Sequence, residues 1–486
     1  MDYSGIKALV MGLGLHGGGL AVARFLLKRG AEVTVTDLRD EKVLAPSIEE
    51  LDAACKEMGR QPVRYVLGKH EIEDFKNAGI VIKNPGVKPD SPFLQVAKRI
   101  ETDLSLFLSE SPARLFAVTG SKGKSTTASA LHWILKSGRK EGKAFLGGNI
   151  TVSPLTFLDD LSESDDVVLE LSSFQLGDLK QGARSNEQRA MGKTSLDGGA
   201  LLKPSAAIIT AIMADHMDRY TSMEEYVDDK RNIYRGQEPS DVTVAGDDEW
   251  GKSFRSQTKA RPLIWSHLPL GEGLSGGWIE NGRGLARIYN MDGISGEIEE
   301  LVPDCLLTPG EHQKLNMLCA ALASYGLGVK ADAIRGALST FSGIEHRLEL
   351  FHEANGIRFY NDSAATIPEA AAACITALAE KAPLILVTGG SDKNLDFSPL
   401  AKAASKAKTI ILLADSGSEK IASMLKKANI PWCGPFDNLD KAVQCAISKA
   451  AKGDIIALSP GCASFGLFLN EFDRGRKWKE ACLRLC

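Results

Sequence analysis

The chain lacks any apolar run that approaches the roughly 20 residues needed to cross a bilayer. It also lacks a basic segment, apolar signal region and small-residue cleavage site ahead of its first strand-like run, Ile6 to Met11. Both absences lead us to expect a cytoplasmic protein with no membrane contact. Its nine cysteines are an odd number, scattered from Cys55 to Cys486 without the close pairs of a zinc site or a secreted disulfide framework, so reduced thiols are expected. A field of one sign is missing too. With 58 Lys and Arg against 62 Asp and Glu, the net charge of -4 argues against broad contact with a nucleic-acid backbone and leaves small anions at local sites open. Nothing in the chain marks a subunit interface, which makes a monomer the default expectation.

What is present is an ordinary globular composition, 44% hydrophobic and 25% charged. At 486 residues the chain is too long for one hydrophobic core, and we expect three domains. The opening reads as strand, glycine turn, helix and strand: Lys7 to Met11, Gly12-Leu-Gly-Leu-His-Gly17, Leu20 to Lys28, then Glu32 to Thr36. A second such unit starts at Arg114 to Val118, turns through Gly120 to Gly123 and continues as a helix through Leu135. Strand-like runs recur at Asp166 to Leu171 and Ala206 to Ile212, and residues 268 to 300 read as a β-rich edge. A third α/β region starts near Gly343, with strands at Ile357 to Tyr360, Leu384 to Thr388, Thr409 to Leu413 and Ile455 to Leu458. The expectation is an α/β protein of parallel sheets, with boundaries near 108 and 344 that give domains 1–108, 109–343 and 344–486. The polar, aperiodic stretch 180–203 reads as a loop insertion.

Gly12-x-Gly14-x-x-Gly17, with Asp37 at the end of the next strand, has the layout that wraps a phosphate around a helix N-terminus. Taken alone it fits NAD, another diphosphate or simply a tight turn that needs glycine. Thr119-Gly-Ser-Lys-Gly-Lys-Ser-Thr126 is more specific, because it lies directly between a strand and a helix. Backbone amides of Gly120, Ser121, Lys122, Gly123 and Thr126 would surround ATP phosphates, Lys124 would reach the terminal phosphates and Ser125 would contact Mg²⁺. It is a shortened P-loop, with Val118 where the longer pattern has glycine. A hard Mg²⁺ bound to nucleotide phosphates needs few protein ligands, and Glu170 at a strand end joins Ser125 as a candidate. His216 and Lys230 would not be chosen from spacing, since a lone histidine is usually structural and a helical lysine usually solvated. In the last third, Glu345-His-Arg347, Asn361 to Thr366, Gly389 to Lys393 and Ser459 to Ser464 flank strands, where open α/β sheets bind ligands and where turns also favour such residues. Arg347 suits a phosphate, and Lys393 with Ser464 a carboxylate.

In order along the chain, Leu169-Glu-Leu-Ser-Ser-Phe-Gln-Leu176, Asp215-His-Met-Asp-Arg-Tyr220, Glu345-His-Arg347, Asp396-Phe-Ser-Pro399 and Leu458-Ser-Pro-Gly-Cys-Ala-Ser464 resemble the Mur ligase family. The likeness covers essentially the whole chain apart from the insertion. It implies a Rossmann-like N-terminal domain for a UDP-linked substrate, a central P-loop domain for ATP, and a Rossmann-like C-terminal domain that closes over ATP and an amino acid. The implied activity is ATP-dependent amide ligation through an acyl-phosphate, adding D-glutamate to UDP-N-acetylmuramoyl-L-alanine for peptidoglycan, with two Mg²⁺ ions. By resemblance, Gly14, Leu15, His16, Asp37 and Arg39 fall in the UDP region, and Asn149 and Ser172 lie near the muropeptide. Glu170 and His216 match magnesium ligands, and Lys230 a carbamylated lysine. Asn316, Arg347 and Asp362 match ATP contacts. Ser363, Thr366, Lys393, Ser464 and Phe465 match positions around D-glutamate or the muropeptide. This sequence departs from the family at Ala364, where a lysine is usual, at Gln313 after His312, and at Ala211. The competing expectations are a sister ligase for another amino acid or acceptor, an NAD-dependent oxidoreductase that leaves the second loop unexplained, and an idle nucleotide-binding scaffold.

Overall fold

The computed structural model describes residues 2–14, 18–139, 141–149, 152–179, 201–289, 296–308, 310–392, 395–464 and 467–485. The core strands are continuous apolar runs, as buried parallel strands with helices on their faces require. Three sheets organise them. The first runs β3-β2-β1-β4-β5, from β1 (Lys7–Met11), β2 (Glu32–Asp37), β3 (Arg64–Leu67), β4 (Ile80–Lys83) and β5 (Ile100–Glu101), all in parallel register. Its strand order reverses between β1 and β4, the place where such sheets open a crevice for ligands.

The second sheet has nine strands: β6 (Arg114–Thr119), β7 (Ala144–Gly148), β8 (Asp166–Glu170), β9 (Ala206–Ile209), β10 (Val242–Gly246), β11 (Arg261–Ser266), β12 (Gly276–Glu280), β13 (Arg283–Arg287) and β14 (Glu299–Val302). In the order β14-β13-β12-β11-β10-β9-β6-β8-β7, β6 lies between β8 and β9, so the glycine loop that follows it emerges beside the ends of both. The antiparallel β12-β13-β14 ribbon realises the β-rich edge read from residues 268 to 300. Phe116, Ala117 and Val118 are fully buried, as are Val167, Val168 and Leu169. Each such valine or phenylalanine contributes about 1.5–3 kcal/mol on burial, which holds the loop's base rigid.

β9 ends at Ile209, three residues short of the run expected to reach Ile212. Beyond Ile209 the chain follows the glycine loop: Thr210 N donates to Thr119 O (2.9 Å), its Oγ1 to the carbonyls of Lys122 (2.6 Å) and Thr119 (3.2 Å), and Ala211 O accepts Ser121 N (2.8 Å).

The third sheet runs β15-β16-β20-β17-β18-β19, with β15 (Glu349–Ala354), β16 (Ile357–Asn361), β17 (Leu384–Thr388), β18 (Thr409–Leu413), β19 (Trp432–Phe436) and β20 (Ile455–Leu458). Only β15 is antiparallel. The chain divides into two compact units, Met1–Asp304 with Lys314–Leu338, and Cys305–Gln313 with Ser339–Cys486. The first therefore holds two of the sheets. Among the described residues no helix is long and apolar enough to cross a membrane. Residues 180–200 of the expected insertion, with Leu15, His16, Lys393 and Phe465, lie outside the described residues.

Candidate active site

In the first unit the site grows from the end of β6. Gly120 (φ 149°) and Gly123 (φ 91°) stand in backbone regions that L side chains rarely adopt, and a Cβ on either would collide with the side chain of Thr210 or Asn316 respectively. Gly123 caps the helix Lys124–Gly138, so the first free amides of that helix and its positive dipole end face the loop's mouth. Lys124 Nζ folds back onto the carbonyls of Gly120 and Ser121, each at 3.1 Å. Ser121 Oγ meets Met213 O at 2.8 Å and the Tyr226 hydroxyl at 2.9 Å. The structure thus brings Asn316 to the loop, and Ser125 and Thr126 follow Lys124 in the first helical turn.

Glu170 closes β8 directly opposite Val118 of β6. Its carboxylate is buried, one oxygen receives Asn149 Nδ2 at 3.3 Å, and the other has no hydrogen-bond partner. A buried carboxylate oxygen left without a donor is costly, and a hard divalent cation is the partner that such a donor set suits. Asn149 is fixed by its own amide to Glu170 O at 2.7 Å. Ser172 instead caps the short helix 173–179 by exchanging bonds with Gln175.

Lys230 contradicts the ordinary expectation for a helical lysine most sharply. The helix Met223–Arg231, capped by Ser222, places Tyr226 and Lys230 four residues apart on one face. That face turns inward: Lys230 is 1% exposed, its Nζ donates to Gly120 O at 2.9 Å and lies 4.4 Å from the Tyr226 ring centroid. Burial, reinforced by the charge of Lys124, lowers its pKa from 10.5 to about 7. At neutral pH a substantial fraction is therefore a free amine, the form that reacts with electrophiles. His216 lies in a left-handed turn (φ 55°), half exposed, with its ring 4.8 Å from that of Phe174.

At the first glycine loop, Asp37 accepts the amides of Leu13 (3.0 Å) and Gly14 (3.2 Å) through one oxygen and that of Arg39 (3.0 Å) through the other. The buried Asp37 is thus the loop's internal brace, while Arg39 is exposed beside it. Ser47 donates to Gly14 O at 2.9 Å.

The second unit carries its own cluster. His346 (φ 66°) and Leu348 (φ 47°) both adopt left-handed backbone and bracket the exposed Arg347, a concentration of strain of the kind found at binding sites. Asp362, at the end of β16, accepts Leu348 N (3.1 Å) and Ser459 Oγ (2.7 Å). Burial outweighs these bonds and raises its carboxyl to about 6. Ser363 is buried, with Oγ donating to Glu471 O at 2.7 Å and accepting Arg474 Nε at 3.0 Å, so its hydroxyl is engaged within the scaffold. Arg474 is fully buried, and its remaining donors reach Ser363 O and Cys462 O. Gly389, Gly390, Asp415, Ser464 and Arg474 surround a small cleft. Thr366 is half-buried after the turn in which Ala364 N donates to His346 O. Sequence reasoning passed over Arg474, and an arginine in an amphipathic helix carries no signal that separates it from a solvated one. It also missed Tyr226, whose spacing of four from Lys230 was the available clue.

Family models match three consecutive stretches of the chain: the Mur ligase MurD-like N-terminal domain over residues 6–104, the Mur ligase middle domain over 118–324, and the Mur ligase glutamate ligase domain over 346–462. Relatives named UDP-N-acetylmuramoylalanine–D-glutamate ligase include one from Treponema pallidum, 38% identical with 98% of this chain and 97% of that protein covered. Another, from Roseiflexus, is 38% identical with 99% of each covered. Among solved structures, the UDP-N-acetylmuramate–alanine ligase MurC from Thermotoga maritima aligns over 99% of both chains with a TM-score of 0.57 at 20% identity, a likeness of fold.

Proposed function

The chain belongs to the Mur ligase family, and on that premise we propose that it joins D-glutamate to UDP-N-acetylmuramoyl-L-alanine with ATP, in the synthesis of peptidoglycan precursors. The observation that carries this reading is the grouping at the end of β6: a P-loop, a neutralisable buried lysine at its carbonyls and a buried carboxylate with one oxygen unpartnered. An oxidoreductase has no use for that set.

In this reading the loop amides of residues 120–126 and Lys124 hold the β- and γ-phosphates. Ser125, Glu170, His216 and Lys230 as its carbamate would hold up to two Mg²⁺ ions, which supply charge neutralisation at the transferring phosphoryl group. The fit rests on the unpartnered Glu170 oxygen and on the depressed pKa of Lys230. Carbamate formation is balanced: the neutral amine adds to CO₂, one N–C bond forms and one proton leaves, turning a cation into an anion. The acceptor carboxylate attacks the γ-phosphorus and the bond to ADP breaks. The amine of D-glutamate then attacks the acyl carbon, a proton is lost, and phosphate departs from the tetrahedral intermediate.

Asp37, Arg39, Gly14, Leu15 and His16 are proposed for the UDP part, Asn149 and Ser172 for the muropeptide, Asn316, Arg347 and Asp362 for ATP, and Thr366, Lys393 and Ser464 for D-glutamate. We also propose the domain limits 1–108, 109–343 and 344–486. The test is phosphate release by purified protein with ATP, Mg²⁺ and the UDP-linked acceptor against a panel of D- and L-amino acids, with product masses recorded. Dependence on both substrates and a mass gain of one glutamyl residue are expected. Equal turnover with another amino acid, the outcome that Ala364 would favour, moves the protein to a sister specificity.

A further inference from the structure

A contact network centred on Arg219, a residue given no role above, joins the two sheets of the first unit. The turn 84–87 leaves the carboxyl end of β4, beside β1 and the first glycine loop. The Asn84 side chain accepts Gly86 N at 3.0 Å and packs where a Cβ on Gly12 would touch it at 3.5 Å. From the segment that follows β9 of the second sheet, the Arg219 guanidinium donates to three successive carbonyls of this turn, Pro85 (3.3 Å), Gly86 (3.2 Å) and Val87 (3.4 Å). The same guanidinium lies 3.8 Å from the centroid of the Phe174 ring, whose neighbours are His216 at 4.8 Å and Tyr220 at 6.0 Å. Close by, Lys83 Nζ bonds Asp178 Oδ2 at 2.6 Å, with both side chains almost wholly buried.

A planar fork suits this task where an ammonium would not, since three carbonyls and one aromatic face must be engaged at once. Removing either partner of a buried pair such as Lys83 and Asp178 strands a charge at a cost of several kcal/mol, so the pair ties β4 firmly to the segment after β8. Together they leave the turn little freedom relative to the strand end that carries Glu170 and the segment that carries His216.

We propose that Arg219 is a positioning residue: it fastens the turn 84–87 to Phe174 and His216 and thereby sets where a ligand held by the first sheet lies relative to the P-loop. For the reaction this rests on the ligase reading above, in which that ligand is the UDP-linked acceptor. Two structural consequences follow. Loss of the fork should be felt in use of the acceptor and in the local stability of the turn, while the P-loop helix, braced separately by Thr210 and Asn316, should be untouched.

The experiment compares R219A and R219K with the wild-type chain in two readouts. In steady-state kinetics, R219A should raise KM for the UDP-linked acceptor by roughly tenfold or more, as expected for lost charged hydrogen bonds, while KM for ATP moves by less than about twofold. R219K, able to reach one carbonyl, should fall between. In hydrogen exchange, amides of residues 84–88 should lose protection in R219A and those of the helix Lys124–Gly138 should keep theirs. Equal shifts in both KM values, or neither moving, overturns the proposal, as does unchanged exchange at 84–88. A wild-type chain that makes no product with the acceptor defeats the ligase reading instead, and the exchange comparison still decides the role of Arg219.

Discussion

Replacing Lys230 by methionine should make the protein more stable and inactive at once. In the folded chain the lysine titrates at about 7, against 10.5 for an ordinary lysine. At 1.36 kcal/mol per pK unit, holding this group in its pocket costs roughly 5 kcal/mol at pH 6. The sign follows from proton counts. Between pH 7 and 10.5 the unfolded chain binds the proton that the folded chain has released, so stability rises with pH there and the cost is fully present below pH 7. Methionine has similar length and no charge, and Gly120 O keeps its bond from Lys124. In CO₂-free buffer, the stability advantage of K230M over wild type, measured by urea unfolding, should therefore shrink by about 3 kcal/mol from pH 6 to pH 9. Ligation should be lost at every pH. Bicarbonate should stabilise the wild-type chain and leave K230M unaffected. An advantage for K230M that does not change with pH, or a variant that ligates normally, would refute both the burial argument and the role of this amine.

Three further outcomes are expected. K124A should lower kcat by roughly 10²–10³-fold, the size typical of removing one preorganised charge at the reacting centre, with the melting temperature little changed because Lys124 bonds the loop carbonyls of Gly120 and Ser121 and Gly120 O keeps its bond from Lys230; initial rates at saturating ATP check this. E170Q should raise the Mg²⁺ concentration needed for half-maximal rate by tenfold or so while thermal stability stays level or rises, since a neutral amide sheds the cost of the unpartnered buried oxygen; a Mg²⁺ titration of rate reads it. D37N should weaken use of the UDP-linked acceptor and leave KM for ATP alone, because one of the two oxygens that hold the amides of Leu13, Gly14 and Arg39 becomes a donor; separate titration of the two substrates distinguishes the cases.

The sheets were legible in the sequence because their central strands are unbroken apolar runs. Leu384–Thr388, Thr409–Leu413 and Ile455–Leu458 fall where the pattern places them. The loop after β6 was legible because glycine alone accepts the backbone at residues 120 and 123. Lys230 was not. Its segment, Asp228-Asp-Lys-Arg231, reads as a charged helical face, and only the tertiary contact with the loop carbonyls reveals a buried amine. Arg474 carried no signal, and Arg219 stood in a quoted motif without a role, since most of the hydrogen bonds of both go to backbone carbonyls, which no side-chain pattern records. The end of β9 was misjudged because residues 210 and 211 pair with the glycine loop, a tertiary contact that strand propensity does not weigh.

The measurement that bears most directly on the chemistry is the fate of the acceptor's carboxylate oxygen. With that carboxylate labelled in ¹⁸O and the reaction run in ordinary water with ATP, Mg²⁺ and D-glutamate, attack on the γ-phosphoryl group followed by displacement by the amine must leave one labelled oxygen in the released phosphate and one in the new amide. Label in phosphate at one atom per product is the expected result. Unlabelled phosphate, or cleavage of ATP to AMP and diphosphate, would contradict ligation through an acyl-phosphate at this P-loop.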